Sequence, residues 1–251
     1  MAIKKHIPNA ITCCNLICGC LAIVEVLQGN LEYASFLVGL AAVFDFFDGF
    51  AARMLRVTSP IGKDLDSLAD MVTFGVVPGM MMYKLLAQSL QVASSSAALA
   101  GSQPAWQTYL PFLAFSIIVF SALRLAKFNN DTRQTTSFVG LPTPANAILI
   151  GSFPLILQHS PSLSIQTVIL NPFVLLFLSV GLSYLLVAEI PLFALKFRNF
   201  SWNGNRTRYT FLLASALLLV LFRFTGIPLI ILLYVLMSIN SNYFAKRKER
   251  H

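Results

Sequence analysis

The sequence predicts an all-α fold: a polytopic transmembrane helical bundle of about eight spans, with both termini in the cytoplasm. Three observations lead there. Hydrophobic residues make up 57% of the 251-residue chain and charged residues only 11%, whereas an average soluble domain carries about 25% charged residues. Apolar runs long enough to cross a bilayer recur along the chain. Basic residues gather in alternate gaps between those runs.

The predicted spans lie at roughly 9–28, 32–53, 67–90, 107–127, 143–158, 168–194, 208–222 and 226–244, the fifth and seventh being short. Met1 to Cys20 has the basic start and apolar stretch of a signal peptide but no evident cleavage site, so it reads as a retained first helix. The gaps after even-numbered spans and the two ends hold Lys4, Lys5, Arg53, Arg56, Lys63, Arg124, Lys127, Arg133, Lys196, Arg198, Arg206, Arg208, Lys246, Arg247, Lys248 and Arg250. Of the 18 basic residues only Lys84 and Arg223 fall elsewhere, and segments 91–105 and 159–167 have none. The positive-inside rule puts the basic side in the cytoplasm. Segment 91–105, rich in Ser and Ala, reads as a flexible outer loop. Trp106 with Tyr109, and Trp202 with Tyr209, read as interfacial anchors.

The chain reads as one membrane domain, 1–251, with a six-span core over 1–200 and an added two-span hairpin and basic tail over 205–251. A net charge of +8 without a groove-like basic cluster interleaved with aromatics points to anionic headgroups and away from nucleic acid. Cys13, Cys14, Cys18 and Cys20 share one apolar segment, where a closed four-thiolate cage is hard to build; they read as small packing residues. His6, His159 and His251 are scattered, which leaves no histidine-based catalysis in view.

Five of the ten acidic residues fall between positions 45 and 70. Asp45 and Asp48 are spaced i, i+3 near the cytoplasmic end of the second span, and Asp66 and Asp70 are spaced i, i+4 at the start of the third. Each pair shares one helix face. The short connection predicts antiparallel neighbours, with both pairs facing each other at one depth. Four carboxylates so close repel unless a cation compensates them. Oxygen-only ligands suit Mg²⁺, Mn²⁺ or Ca²⁺, and Mg²⁺ shares its shell with substrate phosphates. Intramembrane carboxylates also build ion and proton pathways, so the acidic pattern alone leaves a cation- or proton-coupled transporter open. Gly49 lets a ligand approach the backbone, and Arg53 one turn on suits phosphate.

The pattern Asp45-x2-Asp48-Gly49-x2-Ala52-Arg53-x8-Gly62-x3-Asp66-x3-Asp70 resembles the full signature of the CDP-alcohol phosphatidyltransferases, in all eight fixed residues and every gap. LDSLADMVTFGVVP at Leu65 to Pro78, RLAKFN at Arg124 to Asn129, FVGLPTP at Phe138 to Pro144 and PNAIT-x2-N at Pro8 to Asn15 are similar to bacterial phosphatidylserine synthases.

The resemblance implies an inner-membrane enzyme, usually dimeric, with its active site facing the cytoplasm. It would move the phosphatidyl group of CDP-diacylglycerol to L-serine; glycerol phosphate, choline and inositol are the alternative acceptors. Asp45, Asp48 and Asp66 are expected around one Mg²⁺ or Mn²⁺ ion, and Asp45, Asp66 and Asp70 around a second. Asp70 is the expected general base, and Gly49 and Arg53 the expected nucleotide contacts. Asn9, Thr12, Asn15, Thr58 and Ser59 are further nucleotide candidates at the same level. Arg124, Arg133 and Lys127 are candidates for the serine carboxylate, with Asn129 as a hydrogen-bonding neighbour. Pro142 and Pro144 shape entry into the fifth span. Glu189, read as inside the sixth span, and Arg223 have no assigned role.

Overall fold

The structure is a computed structural model that describes residues 2–57, 59–97, 105–130, 137–193 and 205–248. Helices α1 (Ala2–Gln28) and α2 (Leu31–Leu55) form a hairpin. Helix α3 (Pro60–Asp70) runs through a π-helical segment, Met71–Val76, into α4 (Val77–Ala97). A 3₁₀ run, Ala105–Phe115, leads into α5 (Ser116–Asn130). Strand β1 (Ser137–Val139) precedes α6 (Thr143–His159), α7 (Leu163–Ile169) and α8 (Pro172–Val187). Strand β2 (Pro191–Phe193) precedes α9 (Arg206–Phe222) and α10 (Gly226–Lys248). Among the described residues the regular structure is helical except for β1 and β2, which pair antiparallel in a three-residue ribbon that no run of strand-forming residues announces.

Among the described residues, four helical stretches are long and apolar enough to cross a membrane: His6–Gln28, Leu31–Leu55, Gln107–Asn130 and Arg206–Asn240. A fifth is added if α7 and α8, bent by 57°, make one crossing. The eight apolar runs read from the sequence do not all pass this test, for local reasons. Helix α4 carries Lys84, Gln88, Ser89 and Gln91. It tolerates them because it sits centrally, against α1, α5, α6 and α8, with Met81, Met82, Leu85 and Leu86 fully buried. Helix α6 has only 17 residues. The 35-residue stretch Arg206–Asn240 is a reversal: α9 and α10 pack on each other, and Phe211 meets Tyr234 with ring centroids 5.6 Å apart. The chain turns at Arg223, where φ is 50° and the α9 ladder stops.

Other boundaries differ as well. Helix α4 continues to Ala97, shortening the expected loop at 91–105, because Ala sustains a helix. Asn171 caps α8, its side chain accepting from the Phe173 and Val174 amides, with Pro172 at the first helical position; this starts a new helix at the bend. Glu189 is not inside a helix: α8 ends at Val187, and Glu189 is exposed in the link to β2, where the approaching Pro191 disfavours helical backbone. All four cysteines are free; Cys18 is buried and the others exposed.

Side-chain and backbone hydrogen bonds sort the helix ends into two groups. At one end, Lys63 Nζ donates to the Asn129 carbonyl at 3.1 Å, the ribbon joins the segments after α5 and α8, and Leu141 N donates to the Leu185 carbonyl at 2.9 Å. Gly140, at φ 77°, makes that turn; a Cβ there would stand 2.6 Å from the Leu186 carbonyl. At the other end, Lys84 Nζ donates to the Leu27 carbonyl at 3.4 Å, and His159 Nε2 lies 3.5 Å from Glu32. The His159 ring also touches Phe224, centroids 5.1 Å apart. The helices therefore alternate in direction through the bundle.

Small residues let these helices approach closely. A Cβ on Gly79 would stand 2.5 Å from Ile118 Cγ1, so α4 and α5 meet there without room for a side chain. Gly79→Val is expected to destabilise the bundle by about 1–3 kcal/mol. Thermal unfolding of the purified protein in detergent measures this, and an unchanged midpoint would contradict the close α4–α5 contact.

Candidate active site

The site forms where the C-terminal half of α2 meets α3. Asp45 and Asp48 share the inward face of α2. The outward face carries Phe46, Phe47 and Phe50, exposed at 61%, 48% and 46%, with the Phe46 and Phe50 rings stacked at 6.4 Å. Helix α3 begins outside this region with a strong start signal: the Ser59 side chain accepts from Gly62 N at 2.9 Å, and Pro60 takes the first helical position. One turn later Asp66 reaches the α2 pair. Oxygens of Asp45, Asp48 and Asp66 lie within 4.8 Å of one another.

Helix α1 covers this group. Thr12 Oγ1 donates to Asp48 Oδ2 at 2.6 Å. Asn15 Nδ2 donates to Asp70 Oδ1 at 3.4 Å, and the Asn15 carbonyl accepts from Thr73 Oγ1 at 3.3 Å. Asp70 is a turn beyond Asp66, 9% exposed, outside the three-carboxylate group but electrostatically linked to Asp45 and Arg124. The π-helical segment begins directly after it.

Among the described residues, no Lys or Arg forms an ion pair with any of the four aspartates. Like charges in a partly buried setting are costly without a counter-ion. Three converging carboxylates with one edge open toward a cavity are a donor set for a hard divalent cation whose shell is completed by phosphate oxygens. Asp45, Asp48 and Asp66 are the residues that would hold it, while Asp70 stands a turn away from their group.

The cavity beside them has a volume of about 530 Å³, within the range of small-molecule sites. Asn9 and Thr12 of α1, Asp48 and Gly49 of α2, and Ser59, Gly62, Lys63 and Asp66 line it. The two glycines have different reasons. A Cβ on Gly62 would stand 2.9 Å from Asn9 Oδ1, so glycine lets α3 close onto α1. A Cβ on Gly49 would meet nothing within 4 Å except Arg53 Nη1 at 4.0 Å. The fold does not need glycine at position 49; the open space there is room for a ligand, with the Arg53 guanidinium at its edge.

Of the acceptor candidates among the described residues, Arg124 alone is buried. It is 8% exposed, Nη1 donates to Thr143 Oγ1 at 3.1 Å, and its guanidinium lies 5.8 Å from the centroid of the Phe128 ring. Lys127 is exposed. Asn129 is committed to the scaffold: its Nδ2 donates to Ser67 Oγ at 2.8 Å, tying α5 to α3. Arg133 and Thr58 lie outside the described residues. Three further polar residues join the site region that the sequence did not mark as candidates. Thr73, Thr143 and Asn146 are all fully buried. The available signal was the run Thr143-Pro-Ala-Asn146, two polar residues spaced i, i+3 in an otherwise apolar span.

With this geometry in place, comparison with known proteins is direct. A family model described as CDP-alcohol phosphatidyltransferase matches residues 5–239. The chain is 35% identical over 186 residues to the CDP-diacylglycerol–serine O-phosphatidyltransferase of Bacillus subtilis (strain 168), covering 74% of this chain and 89% of that protein. It is 31% identical over 146 residues to the protein of the same description in Helicobacter pylori (strain J99), covering 57% of this chain and 54% of the relative. It is 33% identical over 150 residues to the archaetidylserine synthase of Methanothermobacter thermautotrophicus, covering 59% of this chain and 57% of the relative. The match thus spans little more than half the length of the last two. A family model covering nearly the whole chain, and the family's aspartates converging at one site, place this chain in the CDP-alcohol phosphatidyltransferase family.

Proposed function

We propose that the chain transfers the phosphatidyl group of CDP-diacylglycerol to the hydroxyl of L-serine, giving phosphatidylserine and CMP. One observation carries the choice of acceptor: Arg124 is buried on α5, which packs against the segment that directly follows Asp70, and its charge reaches that buried carboxylate. It offers a carboxylate-binding group next to a proton acceptor.

In this reading Asn9, Thr12, Gly49, Arg53 and Ser59 hold the nucleotide half of the donor in the cavity. Asn15, whose side-chain Nδ2 donates a hydrogen bond to Asp70 Oδ1, orients that carboxylate. Asp45, Asp48 and Asp66 would hold a divalent cation, Mg²⁺ or Mn²⁺ and two ions as the resemblance implies, which when bound would supply positive charge against the pyrophosphate and the departing CMP. Asp70 takes the proton from the serine hydroxyl. The serine oxygen forms a bond to the lipid-side phosphorus, and the bond from that phosphorus to the CMP phosphate oxygen breaks, leaving the electron pair on CMP. Arg124 holds the serine carboxylate through its guanidinium fork. No covalent enzyme intermediate enters the scheme.

The membrane arrangement belongs to the same proposal. The chain crosses eight times, with both termini, the basic loops and the active site in the cytoplasm of an inner membrane. What supports this is the alternating helix direction and the α9–α10 reversal, together with the charge asymmetry. Residues 1–200 form the catalytic core and 205–251 an added hairpin, and two copies pair as a homodimer, as the resemblance implies.

Purified protein given CDP-diacylglycerol with serine, glycerol phosphate, choline or inositol in separate reactions should release CMP only with serine; release with another alcohol and none with serine would refute the acceptor. Asp70→Asn should lower kcat at least about a hundredfold while CDP-lipid binding is kept, and near-normal turnover would remove Asp70 from the proton-transfer role. Asp45→Ala should weaken divalent-ion affinity by at least about tenfold, read by calorimetric titration with Mn²⁺. Unchanged affinity would count against Asp45 as a ligand.

A further inference from the structure

We infer that Asn146 is a specificity-determining residue, accepting a hydrogen bond from the ammonium group of the acceptor. This rests on the serine-transfer reading and extends it to an atom of the substrate that none of the aspartates addresses.

Asn146 is 0% exposed, yet neither its Nδ2 nor its Oδ1 has a hydrogen-bond partner. Burying an amide with both ends unsatisfied is costly, and the first turn of an otherwise apolar helix has no packing reason to bear it. Its surroundings give the missing partner a character. Thr143, three residues earlier and so on the same face of α6, accepts the bond from Arg124 Nη1. Arg124 Nε is also buried without a partner. Thr143 therefore takes the Nη1 side of the fork and leaves the Nε edge, whose paired N–H groups match a carboxylate. Ser121, one turn before Arg124 on α5, is fully buried with its hydroxyl unpartnered as well.

These unsatisfied groups, on the faces of α5 and α6 that the Arg124–Thr143 bond joins, sum to one cationic fork, one amide offering both a donor and an acceptor, and one hydroxyl. An α-amino acid carrying a hydroxyl satisfies that set: carboxylate to Arg124, ammonium to Asn146 Oδ1, hydroxyl to Asp70. The other acceptors do not. Choline has no N–H to give. Inositol brings no charge to the fork. Glycerol phosphate brings a dianion, and Arg124 is the one buried cation among the described residues of this region. A zwitterion adds no net charge to the pocket, which keeps the cost of its burial low.

The test uses the full chain in detergent with CDP-diacylglycerol and a saturating divalent cation. Asn146→Ala should raise the KM for L-serine about ten- to a hundredfold. Its kcat and its KM for CDP-diacylglycerol should stay within about twofold of the parent. Asn146→Asp, which keeps the shape and an acceptor oxygen, should recover most of the serine KM. 3-Hydroxypropionate, which is serine without its ammonium, should be a poor acceptor for the parent enzyme and equally poor for Asn146→Ala. An unchanged serine KM in Asn146→Ala overturns the assignment. A parallel loss of CDP-diacylglycerol affinity also overturns it, making Asn146 a packing residue. A parent enzyme that ignores serine and uses another alcohol overturns both this inference and the reading beneath it. With a parent enzyme active on serine, a failure of the Asn146 variants counts against the role of Asn146 alone.

Discussion

Confining like charge in an apolar surrounding is the constraint that the rest of the bundle answers. Three carboxylates with oxygens inside 4.8 Å repel, and each loses hydration on entering a helix bundle. The surrounding elements each relieve part of that cost. Helix α1 lies along α2 so that Thr12 donates to Asp48 and Asn15 to Asp70. Helix α3 starts beyond the cluster, capped by Ser59, so that its backbone needs no help from the site and Asp66 arrives at the right turn. What remains uncompensated is the open side toward the cavity, where in the proposed reading a cation and the phosphates it attracts would complete the balance.

The carboxylate site was legible in the sequence because it depends on spacing along two adjacent helices. Periodicity converts Asp45 and Asp48, or Asp66 and Asp70, into shared faces, and a short loop converts two faces into a pocket. The acceptor end was legible only in part. Arg124 stood out as a charge in an apolar run. Its contact with Thr143 and its nearness to Asp70 join segments 19 and 54 residues apart, and no local pattern encodes such pairings. Asn129 shows the converse: its motif position suggested a ligand contact, but the α3–α5 packing gives it to Ser67. The span count was limited by a different physics. Hydropathy finds helices that face lipid, and α4 faces protein on most sides, so it carries polar residues that a lipid-facing helix would exclude. The reversal inside Arg206–Asn240 was legible, since the break between the runs 208–222 and 226–244 falls where the chain turns at Arg223.

Helix α2 joins two environments across its own width. Phe46, Phe47 and Phe50 cover the side away from the site, while Asp45 and Asp48 face inward between them in sequence. The same helix can thus border acyl chains and bind a pyrophosphate, separated by about one helix diameter of 10–12 Å. A donor that is half lipid and half nucleotide needs that proximity. The reaction centre therefore belongs at the end of the bundle where polar residues from α1, α2 and α3 open the cavity, and not at its middle.

The π-helical segment at Met71–Val76 has a consequence of its own. Each α-helical residue advances the direction of its side chain by about 100°, and a π turn inserts one residue beyond the α count. Side chains upstream and downstream of the segment are therefore indexed separately. Asp66 and Asp70 take their bearing from α2 and α1, while Met81, Met82, Leu85 and Leu86 take theirs from the bundle centre. A single uninterrupted α-helix would lock those two bearings together. The extra residue acts as a phase shifter between them, so that the aim of the carboxylates and the packing of the helix that carries them are set independently.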